Sequence, residues 1–130
     1  MLGATVALLF NAVPFARTGG APASLQYCAD LIGSGWSLIV FPEGTRSTSG
    51  EIGAFKSGVG RLAVATGAPV VPVRLTGLDR ILPKGRWAPR PGRARVRFGE
   101  PLVFDADTDC VPATARVEAA VRQLGREDCR

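Results

Sequence analysis

The chain alternates between short apolar runs and stretches of helical period. Residues 5–10, TVALLF, form an apolar run that reads as a buried strand. In residues 22–33, PASLQYCADLIG, the spacing puts Leu25, Cys28, Ala29 and Ile32 on one helical face, and Gly33 and Gly35 stop it. SLIVF at residues 37–41 is a continuous apolar run, as expected of a strand covered on both faces. KSGVGRLAVAT at residues 56–66 predicts a helix of small residues closed by Gly67. Gly58 and Gly60 weaken that helix by about 1 kcal/mol each relative to Ala, which points to close approach by another backbone or a substrate. VVPVRL at residues 70–75 predicts a strand, with Pro72 placing it near an edge or an end. RARVRF at residues 93–98 alternates strictly, with Arg93, Arg95 and Arg97 on one side and Ala94, Val96 and Phe98 on the other, as in a half-exposed strand. Pro112 opens a last helix with Val117, Ala120, Val121 and Leu124 as its apolar stripe, and Asp105, Asp107 and Asp109 precede it, where the helix dipole favours acids.

Strands interleaved with helices predict the α/β class, with a mostly parallel or mixed sheet flanked by helices. Right-handed crossovers then gather the loops after the strands along one edge, where open sheets bind ligands. Those loops carry Arg17, then Glu43, Gly44, Thr45, Arg46 and Ser47, then residues 76–80. A length of 130 residues is enough for one core, so residues 1–130 are expected to form a single domain. Residues 1–16 are uncharged, but no basic residue precedes the apolar part and Asn11 and Pro14 interrupt it, so a buried first strand is favoured over a leader peptide. No run reaches the roughly 18 apolar residues of a membrane span.

The net charge of +5 comes from sixteen basic residues, all Arg except Lys56 and Lys84, and favours anionic partners. Cys28, Cys110 and Cys129 are odd in number and fit no zinc or disulfide framework; ordinary thiols in a reducing compartment follow. The chain contains no histidine, which rules out an imidazole metal ligand, a Ser–His triad or a Cys–His dyad within it.

FPEGTRS, residues 41–47, concentrates the chemistry. Pro42 ends the preceding run, Gly44 lets the backbone turn its N–H groups toward a ligand, and Thr45 and Ser47 offer hydroxyls. Arg46 can grip two phosphate oxygens at once, and Glu43 can pin an Arg or accept from a substrate hydroxyl. Arg17 and Lys56 are candidates for the same anion. A local Glu43–Arg46 ion pair that merely caps the loop is the competing reading of these residues.

Five blocks occur in order: PFAR at 14–17, FPEGTRS at 41–47, AFKSGVGRLA at 54–63, APVVPVRLTG at 68–77 and ILPKGRWAPRPGRARVRFGEPL at 81–102. Together they resemble the phospholipid/glycerol acyltransferase family, of the 1-acylglycerol-3-phosphate (lysophosphatidic acid) type. The resemblance implies transfer of a fatty acyl group from acyl-CoA or acyl-carrier protein to a lysophospholipid or glycerol-phosphate hydroxyl in phospholipid biosynthesis. It assigns the acceptor site to Arg17, Glu43, Gly44, Thr45, Arg46, Ser47 and Lys56, puts Pro72 beside the acyl chain, and calls for no cofactor or metal. It also implies a cytoplasmic protein peripheral to the inner face of the membrane.

In the family a His, with an Asp five residues on, takes the acceptor hydroxyl's proton. That His-x4-Asp block is missing from this sequence, so no catalytic residue of the pair is carried by the chain. The expectation is the C-terminal, acceptor-binding part of a domain incomplete on its N-terminal side, inactive by itself, with an exposed edge and apolar face. A non-catalytic binder of phospholipid precursors and a half-enzyme completed by a partner chain are the alternatives. Between Arg80 and Arg97 there are seven basic residues, no acid, and an exposed-type Trp87. That segment fits a solvated loop, an anionic membrane surface or nucleic acid; its many prolines and lack of a recognition motif argue against the last.

Overall fold

The computed structural model describes residues 21–45, 51–83 and 85–126. They fall into two compact units divided between Leu38 and Ile39. The predicted strand at residues 5–10 lies outside the described residues. The first unit contains helix α1, Ala21–Gly33, as the apolar spacing predicts. Leu25, Ala29 and Ile32 are half-buried and Cys28 is buried. The helix ends because Gly35 adopts a left-handed φ of 87°. Its N–H donates to Ile32 O (2.9 Å) and the Trp36 N–H reaches back to Leu31 O (3.0 Å), satisfying carbonyls that the helix itself leaves open.

In the second unit the chain runs through a turn and loop into α2 (Gly58–Thr66), β1 (Val73–Thr76), the single turn α3 (Leu78–Ile81), β2 (Arg95–Phe98) and α4 (Cys110–Arg126). The core is the seam where α2 packs on α4: Val59, Ala63, Phe104, Ala113 and Val117, with Phe55, Val64, Val70 and Leu102 against them. Burial at this seam is the main stabilising term, at about 25 cal/mol for each Å² of apolar surface removed from water. Gly60 sets how near the helices come. A Cβ built there would fall on Thr114 Oγ1 and the Cys110 carbonyl and lie 2.8 Å from Thr114 N, so the close approach expected at this glycine is made by another backbone. The final helix begins two residues before Pro112, where Asp109 Oδ1 accepts from Val111 N–H (3.2 Å), an N-cap bond.

The sheet differs from expectation. Among the described residues it is a two-stranded antiparallel ribbon, pairing Val73 with Phe98 and Leu75 with Val96, and not a parallel or mixed sheet. A parallel pair needs a crossover of a dozen or more residues, usually a helix. Here Pro83, Pro89 and Pro91 keep the connection from forming one, and only the single turn of α3 appears in it. Val70 and Leu102 extend the pairing by two bonds of 2.8 Å. Between that bridge and β1, Val71 and Pro72 face Gly99, Glu100 and Pro101, a bulge at the point where Pro72 has no N–H to give.

Residues 37–41 are likewise not a strand: no described strand pairs with them, and Ile39 is 88% and Phe41 72% exposed. β2 does not alternate in burial as expected: Arg95 is exposed with Val96 and Phe98, and Arg97 alone is partly buried. Val96 and Phe98 are exposed, while Arg97 turns in and its Nη1 donates to Leu124 O (3.1 Å) at the end of α4. Arg74 also lies against this helix end, so near Gly125 that a Cβ there would fall on its guanidinium. Two cations at the negative end of α4 offset the helix dipole, which favours the inward placement of Arg74 and Arg97.

Candidate functional site

The loop after residue 41 is built by a turn and a pinch. Gly44 N–H donates to Phe41 O (3.1 Å), closing a four-residue turn with Pro42 in its favoured second position. Gly44 has φ 69°, a left-handed conformation that costs an L-residue about 1–2 kcal/mol. Its N–H is therefore engaged by the turn and is not directed to a ligand. Lys56 N–H donates to Pro42 O (3.0 Å), bringing the two ends of the loop side by side. The missing side chain of Gly44 leaves room for Lys56, whose Nζ would be 2.9 Å from a Cβ placed there. Glu43 Oε2 accepts from Gly53 N–H at 2.7 Å.

Glu43, Gly44 and Lys56 are thus brought together, with Thr45 exposed directly after them. Arg17, Arg46 and Ser47 lie outside the described residues. Pro72 belongs to the ribbon instead, fully buried, its carbonyl accepting from Gly99 N–H (2.8 Å). The gathered groups put the Lys56 ammonium and the Glu43 carboxylate, thirteen positions apart in sequence, on adjoining stretches of bonded backbone. Such a pair can hold an anion on the cation and accept a hydrogen bond from a hydroxyl on the carboxylate.

Two residues of α4 that serve this arrangement, Glu118 and Arg122, escape a reading of the sequence. Glu118 Oε2 on α4 accepts from Phe55 N–H at 2.9 Å. Glu118 Oε1 holds Arg122 Nε and Nη2, each at 2.9 Å, and Arg122 Nη2 donates to Gly53 O at 3.3 Å. The Phe55 N–H, and then the Arg122 guanidinium, hold the Glu118 carboxyl below its ordinary pKa. The i,i+4 spacing of Glu118 and Arg122 is visible in the sequence as a helix-surface ion pair. Nothing in it says that the pair reaches back to residues 53–55.

The basic segment is placed in part. Arg90 N–H donates to Ile81 O (2.7 Å), which folds the segment back on α3, and Trp87 is 94% exposed. Cys28 and Cys110 are free thiols, and burial pushes the Cys28 thiol up. Among the described residues no group of His, Cys, Asp and Glu could hold a metal ion, and no helix is long and apolar enough to cross a membrane.

Comparison with known proteins gives this geometry a context. The chain is 48% identical over 95 residues to a chloroplastic 1-acyl-sn-glycerol-3-phosphate acyltransferase of Brassica napus, covering 72% of this chain and 28% of that protein. It is 36% identical over 102 residues to 1-acyl-sn-glycerol-3-phosphate acyltransferase alpha of Mus musculus, covering 76% of this chain and 36% of that one. It therefore spans about a third or less of the length of these relatives. Among solved structures it is similar to PlsC, the 1-acyl-sn-glycerophosphate acyltransferase of Thermotoga maritima, with a TM-score of 0.71, 35% identity, and coverage of 79% of this chain and 44% of that one. The two-stranded ribbon and its helices are thus part of a PlsC-like fold. The acyltransferase family model matches residues 2–76, more than half of the sequence, and the chain belongs to the acyltransferase family.

Proposed function

We infer that this chain carries the acceptor-binding part of a 1-acylglycerol-3-phosphate acyltransferase. In it the FPEGTRS loop and Lys56 hold the phosphate and free hydroxyl of lysophosphatidic acid while an acyl group arrives from acyl-CoA or acyl-carrier protein. The observation that carries this reading is the pinched loop, in which Lys56 is folded over the bare face of Gly44 beside an anchored Glu43. Lys56 and Arg46, with Arg17, are assigned to the phosphate, and Glu43, Thr45 and Ser47 to the acceptor's hydroxyl side. The exposed Trp87 and its neighbouring arginines support contact with an anionic membrane surface, which fits a peripheral protein at the cytoplasmic face.

These 130 residues hold no imidazole to take the acceptor proton. An ordinary Glu, with a pKa of about 4.3, is a poor base for an alcohol, and losing a general base costs roughly 10²- to 10⁴-fold in rate. The chain by itself is accordingly proposed to bind acceptor and scarcely turn over. That same absence supports the alternatives of a non-catalytic binder or a half-enzyme completed by a partner chain.

The test is titration of the purified chain with short-chain lysophosphatidic acid, beside an acyl-transfer assay. Lys56→Ala and Arg46→Ala are each expected to weaken binding roughly 10- to 100-fold, the worth of one charge-assisted hydrogen bond of about 1.5–3 kcal/mol. Unaltered binding in both variants would leave only a generic basic surface. Turnover by the unmodified chain at rates typical of complete acyltransferases would refute the inactive-by-itself reading.

A further inference from the structure

We propose that Glu118 and Arg122 of α4 are positioning residues for the acceptor loop, fixing Glu43 through the backbone of Gly53 and Phe55. The proposal rests on the acceptor-site reading and adds to it a control point 63 residues away in sequence from the segment it holds.

The connection is continuous. Arg122 Nη2 donates to Gly53 O at 3.3 Å, and the N–H of the same residue donates to Glu43 Oε2 at 2.7 Å. Two positions on, Phe55 N–H is taken by Glu118 Oε2 at 2.9 Å, and the next N–H, that of Lys56, closes on Pro42 O at 3.0 Å. Between residues 53 and 56, three backbone donors and one acceptor are thus committed either to α4 or to the turn around Glu43. Gly53 suits the join because a side chain there would crowd it: a Cβ would lie 3.2 Å from Glu43 Oε2. Glu118 bonds Arg122 through Oε1 and the backbone through Oε2, so the pair acts as one rigid bracket.

Both members stand on the helix whose buried face, through Val117 and Ala113, forms the core with α2. The bracket therefore refers the loop to the most tightly packed part of the second unit. Without it, Phe55 keeps its side-chain packing against the core, while the Gly53 backbone loses its tie to α4 and keeps its bond to Glu43. A site held within a few tenths of an ångström needs such outer support.

The experiment uses the full 130-residue chain, with amide hydrogen exchange and binding of short-chain lysophosphatidic acid as readouts. Glu118→Ala should deprotect the Phe55 and Gly53 amides, leave the Ala113 amide protected, and weaken acceptor binding about 10-fold. Val117→Ala, a core truncation on the same helix, is the control for lost stability alone and should leave the Gly53 amide and binding near wild type. The proposal is overturned if Glu118→Ala binds like wild type, or if Val117→Ala weakens binding as much as Glu118→Ala does. An unmodified chain that binds no acceptor would instead overturn the acceptor reading, and this role with it. Gly53 exchange would still report whether α4 holds the Glu43 loop.

Discussion

At the scale of single residues, two glycines and two acids explain the loop. Gly44 provides a left-handed turn and an open side for Lys56; Gly53 provides an N–H that Glu43 can reach. Glu43, Gly44 and Thr45 are adjacent in sequence, so their turn could be read locally, whereas Lys56, eleven positions beyond Thr45, joins them through its N–H bond to Pro42 O. Glu118 was not legible, because its partner Phe55 is fixed by packing of distant segments, which no local pattern encodes. Its titration gives a prediction. The folded state holds this carboxyl below its ordinary value of about 4.5, so its contribution is fully present above that pH and is lost as pH falls through the lower, folded pKa. The wild-type chain should exceed Glu118→Gln in urea midpoint at neutral pH. The gap should narrow as pH falls through the folded pKa of Glu118, because the protonated carboxyl is then uncharged like the amide. A gap that does not change with pH would mean that the carboxylate charge plays no part.

The elements that could be read were those whose amphipathic period is independent of neighbours. α1, α2 and α4 lie where the spacing of apolar residues put them, and Gly35 and Gly67 end the first two. The apolar run at residues 37–41 gave the wrong element because a continuous run states only that burial is wanted. Strand formation also requires a partner with free backbone groups, and the described residues provide none there. The antiparallel sense of β1 against β2 was not legible for a related reason: period-2 patterning reports faces and is silent on pairing sense. Helix contact does make a firm prediction at Gly60. Gly60→Ala would normally favour a helix by about 1 kcal/mol. Here its Cβ meets the backbone of α4, so overpacking at about 1–3 kcal/mol should win and the variant should unfold at lower denaturant. Stabilisation by Gly60→Ala would show that the seam can open without penalty.

For the second unit as a whole, the ribbon presents Val73, Leu75, Val96 and Phe98 outward, with Phe98 70% exposed. Four apolar side chains on one face of a two-stranded ribbon resemble half of an interface. The consequence for a purified sample is self-association that rises with concentration and persists at high salt. Phe98→Thr should reduce it in light scattering while shifting stability by about 1 kcal/mol or less, the scale of one cross-strand pair. Equal association in the variant would move the sticky surface elsewhere, to the exposed Ile39 and Phe41.

The bond from Lys56 N–H to Pro42 O carries one more implication. It ties the loop off at its neck, so the residues beyond the neck can change in number while the flanking frame remains in place. Closing a loop of twice the length adds only about 0.6 kcal/mol of entropy. A tied-off neck therefore makes the reach of this grip an adjustable dimension: longer or shorter versions could fit bulkier or slimmer polar headgroups on one unchanged scaffold.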